Sequence, residues 1–195
     1  MTPTIYFVRH GETDWNAEAR LQGQKDIALN PVGRVQAEAA GRALAQMVAE
    51  PAELDFVASP LSRTVETMEI LRGALGLAPG AYRRDPRLVE LTFGRWEGQT
   101  WREVRRHDAA LASLRERDKW NFTPPDGESY AMLRERLRPV VAELNRPTLL
   151  VSHGGVARVL LNLLAGVAEH EAPRVDIWQG RVLLLESGRH RWSDT

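Results

Sequence analysis

The chain has 195 residues, 43% hydrophobic and 27% charged, with 26 basic and 26 acidic side chains balancing to a formal net charge of zero. That length suits one domain with a sizeable core, the charge balance argues against binding nucleic acid or an anionic membrane surface, and the absence of cysteine excludes disulfides and thiol catalysis. No apolar stretch approaches the ~18 residues of a membrane span, and no basic segment followed by an apolar one opens the chain, so neither a membrane anchor nor a signal peptide is expected and a cytoplasmic location is.

Thr4–Arg9 (TIYFVR) is β-branched and aromatic on both faces, as in a central strand covered on two sides. A helix is predicted from Asn30, which caps it, and Pro31, which fits its first turn. Val32, Val35, Ala39, Ala43 and Met47 form its apolar stripe, and Pro51 stops it. Leu54–Ser59 (LDFVAS) reads as a second buried strand. Beyond Pro60, Leu61, Val65, Met68, Leu71 and Leu75 recur at helical spacing, with Gly76 as the terminator. Ala81–Leu88 is a short extended piece. Thr100 to about Asp118 is a charged outer helix, and Thr123–Ser129 is a loop. Leu133, Leu137, Val140 and Leu144 mark a further helix, kinked at Pro139.

Pro147–His153 (PTLLVSH) is the third central strand. Gly154-Gly155 opens a helix that turns Val156, Val159, Leu160, Leu163 and Leu164 to the core. Arg174–Glu186 reads as a hairpin turning at Gln179-Gly180. Strands alternating with helices imply an α/β fold with a mostly parallel sheet covered on both faces and an antiparallel end. Residues 1–195 are read as one domain, with about 100–129 inserted over the strand ends.

In such sheets ligands bind beyond the carboxyl ends of the strands. Arg9-His10-Gly11 follows the first strand, Ser59-Pro60-Leu61-Ser62-Arg63 the second and Ser152-His153-Gly154-Gly155 the third. Arg63 lies in a helix first turn, where the positive end of the helix disfavours a cation unless an anion is near. The alternative is a solvated surface arginine. Gly154-Gly155 offers bare amides at another helix start, suited to an anion. A neutral imidazole can attack phosphorus, and arginines beside it neutralise the phosphoryl oxygens without a metal or another cofactor. The leaving oxygen then needs a proton, for which Glu90 is the candidate and Glu97, between Trp96 and Gly98, a weaker one.

With VRHGETDWN (Val8–Asn16), LQGQKDIALNPVG (Leu21–Gly33), SPLSRTVET (Ser59–Thr67), ELTFGRWEG (Glu90–Gly98), PPDGES (Pro124–Ser129) and VSHGGVAR (Val151–Arg158) in this order, the chain resembles the histidine phosphatase superfamily, also called phosphoglycerate mutase-like. The resemblance implies a three-layer α/β/α sandwich with His10 as the phosphorylated nucleophile. It implies Arg9, Arg63 and His153 as the rest of the phosphate pocket, Glu90 as the proton donor, Asn16 and Gly154 as further phosphate contacts, and Gln22 and Gly23 in a loop against substrate. Thr67 takes a packing or hydrogen-bonding role. Thr64 and Met68 replace the usual alanines, a change that should touch helix packing and not chemistry.

The stretch TFGRWEGQT after the acid resembles the phosphatase branch and not the mutase branch, so hydrolysis of a small phosphate ester in two steps is expected. A mutase-type phosphotransferase and a non-catalytic phospho-ligand binder are the alternatives. No HxxxH, HExxH or G-x-S-x-G motif competes, and His107, His170 and His190 are expected at the surface. Arg102, Arg105, Arg106, Arg115 and Arg117 are read as a solvated helix face, the alternative being recognition of a second anionic group. The substrate is not legible, and monomer and homodimer are both open.

Overall fold

The strand β1 (Ile5–Arg9) lies inside a six-stranded sheet because its side chains are apolar on both faces. It pairs in parallel with β4 (Thr148–Ser152), from Ile5 beside Thr148 to Arg9 beside Ser152, and β4 pairs in parallel with β2 (Asp55–Ala58). The two-residue strand β3 (Arg83–Arg84) edges this side, and the antiparallel strands β5 (Val182–Glu186) and β6 (Arg189–Trp192) complete the order β3-β2-β4-β1-β5-β6. The computed structural model describes residues 3–194. Met1 and Thr2, where no leader segment was expected, lie outside the described residues.

Side chains from alternate sheet positions serve two cores. Ile5, Phe7, Val57 and Leu150 pack on one face with α6 (Tyr130–Glu143) and α7 (Gly154–Ala165), through Leu133, Leu137, Val156 and Leu160. Val8, Phe56, Leu149 and Val151 pack on the other with α2 (Pro31–Met47) and α3 (Ser62–Ala74), through Ala40, Leu44, Met68 and Leu71. The result is the expected α/β/α sandwich. Three shorter helices lie elsewhere: α1 (Asp14–Ala17), α4 (Trp101–His107) and α5 (Ala109–Arg117). Val104 of α4 and Ala112 of α5 cover Leu21 and Trp96 in a small satellite core. No helix among the described residues is long and apolar enough to cross a membrane.

Several elements differ from their sequence reading. Asn30 caps α2 as expected, its Oδ1 accepting from Gly33 N at 2.8 Å. Yet α2 buries Gly33, Ala37, Ala40, Gly41 and Leu44, and leaves Val32 51% and Val35 61% exposed. The reason is close packing on α3: a methyl group on Gly41 would sit 2.7 Å from Cβ of Ala74, so the face of small residues, not the bulkier stripe, turns inward. The predicted outer helix is two helices, broken at Asp108, whose Oδ2 accepts from the Trp96 indole at 2.7 Å. Helix α6 continues through Pro139. The hairpin turns at Ser187-Gly188 instead of Gln179-Gly180, because both residues take the left-handed conformation that a two-residue turn requires (φ 52° and 76°). Residues 175–179 form an extended strap.

Candidate active site

Parallel register brings the carboxyl ends of β1, β4 and β2 to one edge, and the ladder continues one step past each strand: His10 N donates to Ser152 O and Ser59 N to Val151 O, both at 3.0 Å. The three polar clusters of the sequence therefore share one mouth, a cavity of about 630 Å³ lined by Arg9, His10, Asn16, Gln22, Gly23, Arg63, Glu90 and Gly154 among others. His153 lies beneath it, buried, with its ring centroid 5.2 Å from that of His10 at 62° between planes.

The His10 ring is oriented by its own neighbour. Nδ1 lies 2.7 Å from the Gly11 carbonyl, which can only accept, so Nδ1 carries the proton and Nε2 keeps a free lone pair. Gly11 is fixed in turn: its N–H donates to Thr67 Oγ1 at 3.2 Å, and that hydroxyl donates to Arg63 O at 2.7 Å, linking the loop after β1 to α3. Thr67 thus has the hydrogen-bonding role the motif implied. His153 Nε2 lies 2.9 Å from Ser59 Oγ, while its Nδ1 is buried without a partner. Burial first, then the positive charge of Arg63 and other neighbouring groups including Arg9, pushes both imidazoles well below 6.5, so both are neutral at pH 7.

Arg63 is not a solvated arginine: it is wholly buried. Its Nη1 donates to Lys25 O at 2.7 Å and its Nη2 to Gly23 O at 2.9 Å, and its Nε has no partner. Burial lowers its pKa to about 10, against an opposing pull from the Glu90 and Asp26 charges. Arg9 donates from Nη1 to Ile177 O at 2.9 Å, and its Nε is likewise buried and unpartnered. Two guanidinium Nε groups, the His153 Nδ1 and the Gln22 Oε1 are thus left unsatisfied around one cavity. Unpaired buried polar groups are costly and rare; the guanidinium N–H donors suit a polyoxygen anion, whereas the Gln22 oxygen, which can only accept, suits a hydroxyl of the bound molecule.

Glu90 stands on the wall. Its Oε1 accepts from Leu91 N and its Oε2 from Gly155 N, both at 2.9 Å. Glu97 does not line the cavity; its Oε1 accepts from Thr92 Oγ1 at 2.7 Å, Gln24 N at 3.1 Å and Phe93 N at 3.2 Å, tying the loops together. Among the basic residues of α4 and α5, Arg102, Arg106 and Arg117 are solvated as expected. Arg105 is also exposed but lines the cavity, and Arg115, which lines it too, is only 12% exposed in its side chain and stacks 4.1 Å above the Trp101 ring. His107, His170 and His190 are exposed. Among the described residues, no group of three or more His, Asp or Glu is placed to hold a metal ion.

Sequence reasoning gave no role to Ser59, Arg158, Tyr130 or Gln179. Ser59 heads the SPLSR cluster and Arg158 follows Gly154 by one helical turn, so both were within reach of a periodicity argument. Gln179 was hidden by its misplacement in a turn.

The family model described as histidine phosphatase superfamily (branch 1) matches residues 5–193. The chain belongs to this superfamily. It is 36% identical over 169 residues to the glucosyl-3-phosphoglycerate phosphatase of Mycobacterium tuberculosis, a match spanning 80% of this chain and 72% of that one. It is 34% identical over 178 residues to human 6-phosphofructo-2-kinase/fructose-2,6-bisphosphatase 4, covering 89% of this chain and 35% of that protein. The mycobacterial glucosyl-3-phosphoglycerate phosphatase complexed with VO3 superposes with a TM-score of 0.81 at 32% identity, over 98% of this chain and 97% of that one. These relatives place the chain among phosphatases of the family, and the superposed mycobacterial structure shares its sandwich fold.

Proposed function

We propose that this protein hydrolyses a small phosphate monoester through a phosphohistidine at His10, with arginines and not a metal ion supplying the positive charge. The observation that carries the reading is the Gly11 carbonyl on His10 Nδ1, which leaves the opposite nitrogen nucleophilic between Arg9, Arg63 and His153. In the first step Nε2 forms a bond to phosphorus, the ester P–O bond breaks, and the leaving oxygen takes a proton from Glu90. In the second, water attacks the phosphohistidine, Glu90 receives the water proton, and inorganic phosphate and free His10 are regenerated. Arg9, Arg63, His153, Asn16 and the Gly154 amide hold the phosphoryl oxygens as charge spreads over them.

The remainder of the substrate faces Gln22 and Gly23 on one side and residues 100–129 on the other. The mycobacterial relative is named for glucosyl-3-phosphoglycerate, and here Arg115 on Trp101 and Lys119, both paired with Glu116 on the same wall, offer two cations to an acid group distant from the phosphate.

His10→Ala tests the nucleophile: turnover of p-nitrophenyl phosphate should vanish, and the wild-type enzyme quenched in mid-turnover with labelled substrate should carry acid-labile phosphate on His10. Near-normal activity in the variant overturns the assignment. Prolonged dialysis against chelator should leave the rate unchanged, and a loss restored by a divalent ion would remove the metal-independent mechanism.

A further inference from the structure

The strap at 175–179 grips the site with every second residue. Val175, Ile177 and Gln179 face inward, while Asp176 and Trp178 are exposed, the alternation of an extended segment. Arg158 Nε donates to the Val175 carbonyl at 2.9 Å, Arg9 Nη1 donates to the Ile177 carbonyl at 2.9 Å, and Gln179 reaches the loop after β1 with its side chain. Gln179 Nε2 lies 3.1 Å from His10 O and 3.2 Å from Asn16 Oδ1. The His10 carbonyl can only accept, so the atom facing it is the amide nitrogen, and its two hydrogens serve the two oxygens.

This contact decides which way Asn16 points. Asn16 Oδ1 also lies 3.2 Å from the backbone N–H of Thr13, which can only donate, and 3.2 Å from Thr13 Oγ1. The side-chain oxygen is thus held inward by its neighbours, and the Nδ2 group is left as a donor on the cavity that Asn16 lines.

We infer that Gln179 is a positioning residue of this phosphatase: by clamping the Asn16 carbonyl oxygen and the His10 carbonyl, it presents the Asn16 amide N–H to the phosphoryl group. The inference rests on the phosphate-pocket reading above. It predicts that the strap's effect on anion affinity runs through Asn16.

Orthovanadate and inorganic phosphate, as competitors of p-nitrophenyl phosphate turnover, are the probes. Gln179→Met keeps the side chain's length but removes both hydrogens, and should weaken vanadate inhibition about tenfold, the scale of one hydrogen bond to a charged group. Asn16→Ala should lose a similar factor, and the double variant should bind vanadate within about twofold of Asn16→Ala alone, because residues acting as one unit do not add. Gln179→Glu keeps the shape but places a carboxylate against two carbonyl oxygens. Its affinity relative to wild type should recover as pH falls and the acid regains a donatable proton, a profile that a packing role would not give. Losses that multiply in the double variant, or a Gln179→Glu ratio flat with pH, overturn the inference. So does an Asn16→Ala variant with normal vanadate affinity. If His10→Ala is also fully active, the fault lies instead in the pocket reading itself.

Discussion

The Glu90 carboxylate rests against the backbone of Gly155: its Oε2 accepts the Gly155 N–H at 2.9 Å, and a methyl group on Gly155 would fall 2.3 Å from its Oε1. The second glycine after His153 therefore does more than open α7. It is the surface on which the proposed acid is seated, and the first turn of a helix supplies the amide that orients it.

Gly155→Ala should separate acid catalysis from phosphate binding. The added methyl would also meet Leu91 Cδ2 at 2.2 Å, but both clashing atoms end flexible side chains, so the fold should persist while Glu90 is pushed off its seat. An alkyl phosphate, whose leaving oxygen needs the proton, should lose about a hundredfold in the rate of phosphoryl transfer to His10. p-Nitrophenyl phosphate, whose leaving group departs without help, should transfer within about threefold of wild type, although the water step that Glu90 also serves slows equally for both. Single-turnover kinetics on the two substrates checks this, and equal losses in the transfer step would remove Glu90 from the acid role.

Arg63→Lys should not rescue Arg63→Ala. The guanidinium spans two carbonyls, Lys25 O and Gly23 O, and still offers Nε to the cavity. A lysine has one nitrogen, which cannot satisfy both carbonyls and an anion in that geometry. Each variant should lower kcat/KM by about a hundredfold or more. The loop carrying Gln22 and Gly23 should also become more accessible to protease in each, because its carbonyl anchors are lost. A lysine variant close to wild type would mean that bare charge is all the site needs.

Much of this site was legible in the sequence. Buried parallel strands must end at one edge, so the polar residues after Arg9, Ala58 and Ser152 had to meet, and the His10 and His153 rings do. What failed was the reading of faces. Val32 and Val35 looked like core because they are bulky, but α2 approaches α3 through Gly41 and its small neighbours. For Arg63 a solvated arginine stayed open beside the phosphate-pocket reading, because the strand-end loops that close over it meet it with backbone carbonyls, which leave no signature in side-chain pattern. The same blindness to carbonyl partners hid the strap at 175–179, where Gln179-Gly180 has turn chemistry but Ser187-Gly188 makes the turn.

The paired histidines should make folding stability fall with acid above the range where carboxylates titrate. In the folded chain both are held neutral by burial and by Arg63 and Arg9, with pKa values well below 6.5. In the unfolded chain they bind protons near ~6.5. Their contribution is therefore present above pH ~6.5 and is lost as pH falls toward their folded values, at a limiting slope of about 1.4 kcal/mol per pH unit for each ring. Thermal melts between pH 7 and 5 should show Tm dropping, and His153→Gln should flatten the slope. Saturating phosphate should also flatten it, since an anion beside the rings favours their charged forms. An unchanged slope in the variant would mean that His153 titrates normally in the native state.

Arg115 should distinguish substrates by what they carry beyond the phosphate. Its side chain is held 4.1 Å over Trp101, burial lowers its pKa, and its ion-pair partner is the neighbouring, more exposed Glu116 at 3.3 Å. A guanidinium with so little freedom is fixed before substrate arrives, so little ordering entropy is lost when it meets an anion. Arg115→Ala should raise KM about tenfold for a phosphate ester bearing a carboxylate or second phosphate. It should leave KM for p-nitrophenyl phosphate, which reaches no further than the pocket floor, unaltered. Arg102→Ala, on the solvated face of α4, is the control and should change neither. A parallel rise in KM for both substrates would place Arg115 in the shaping of the cavity and not in the recognition of a second charge.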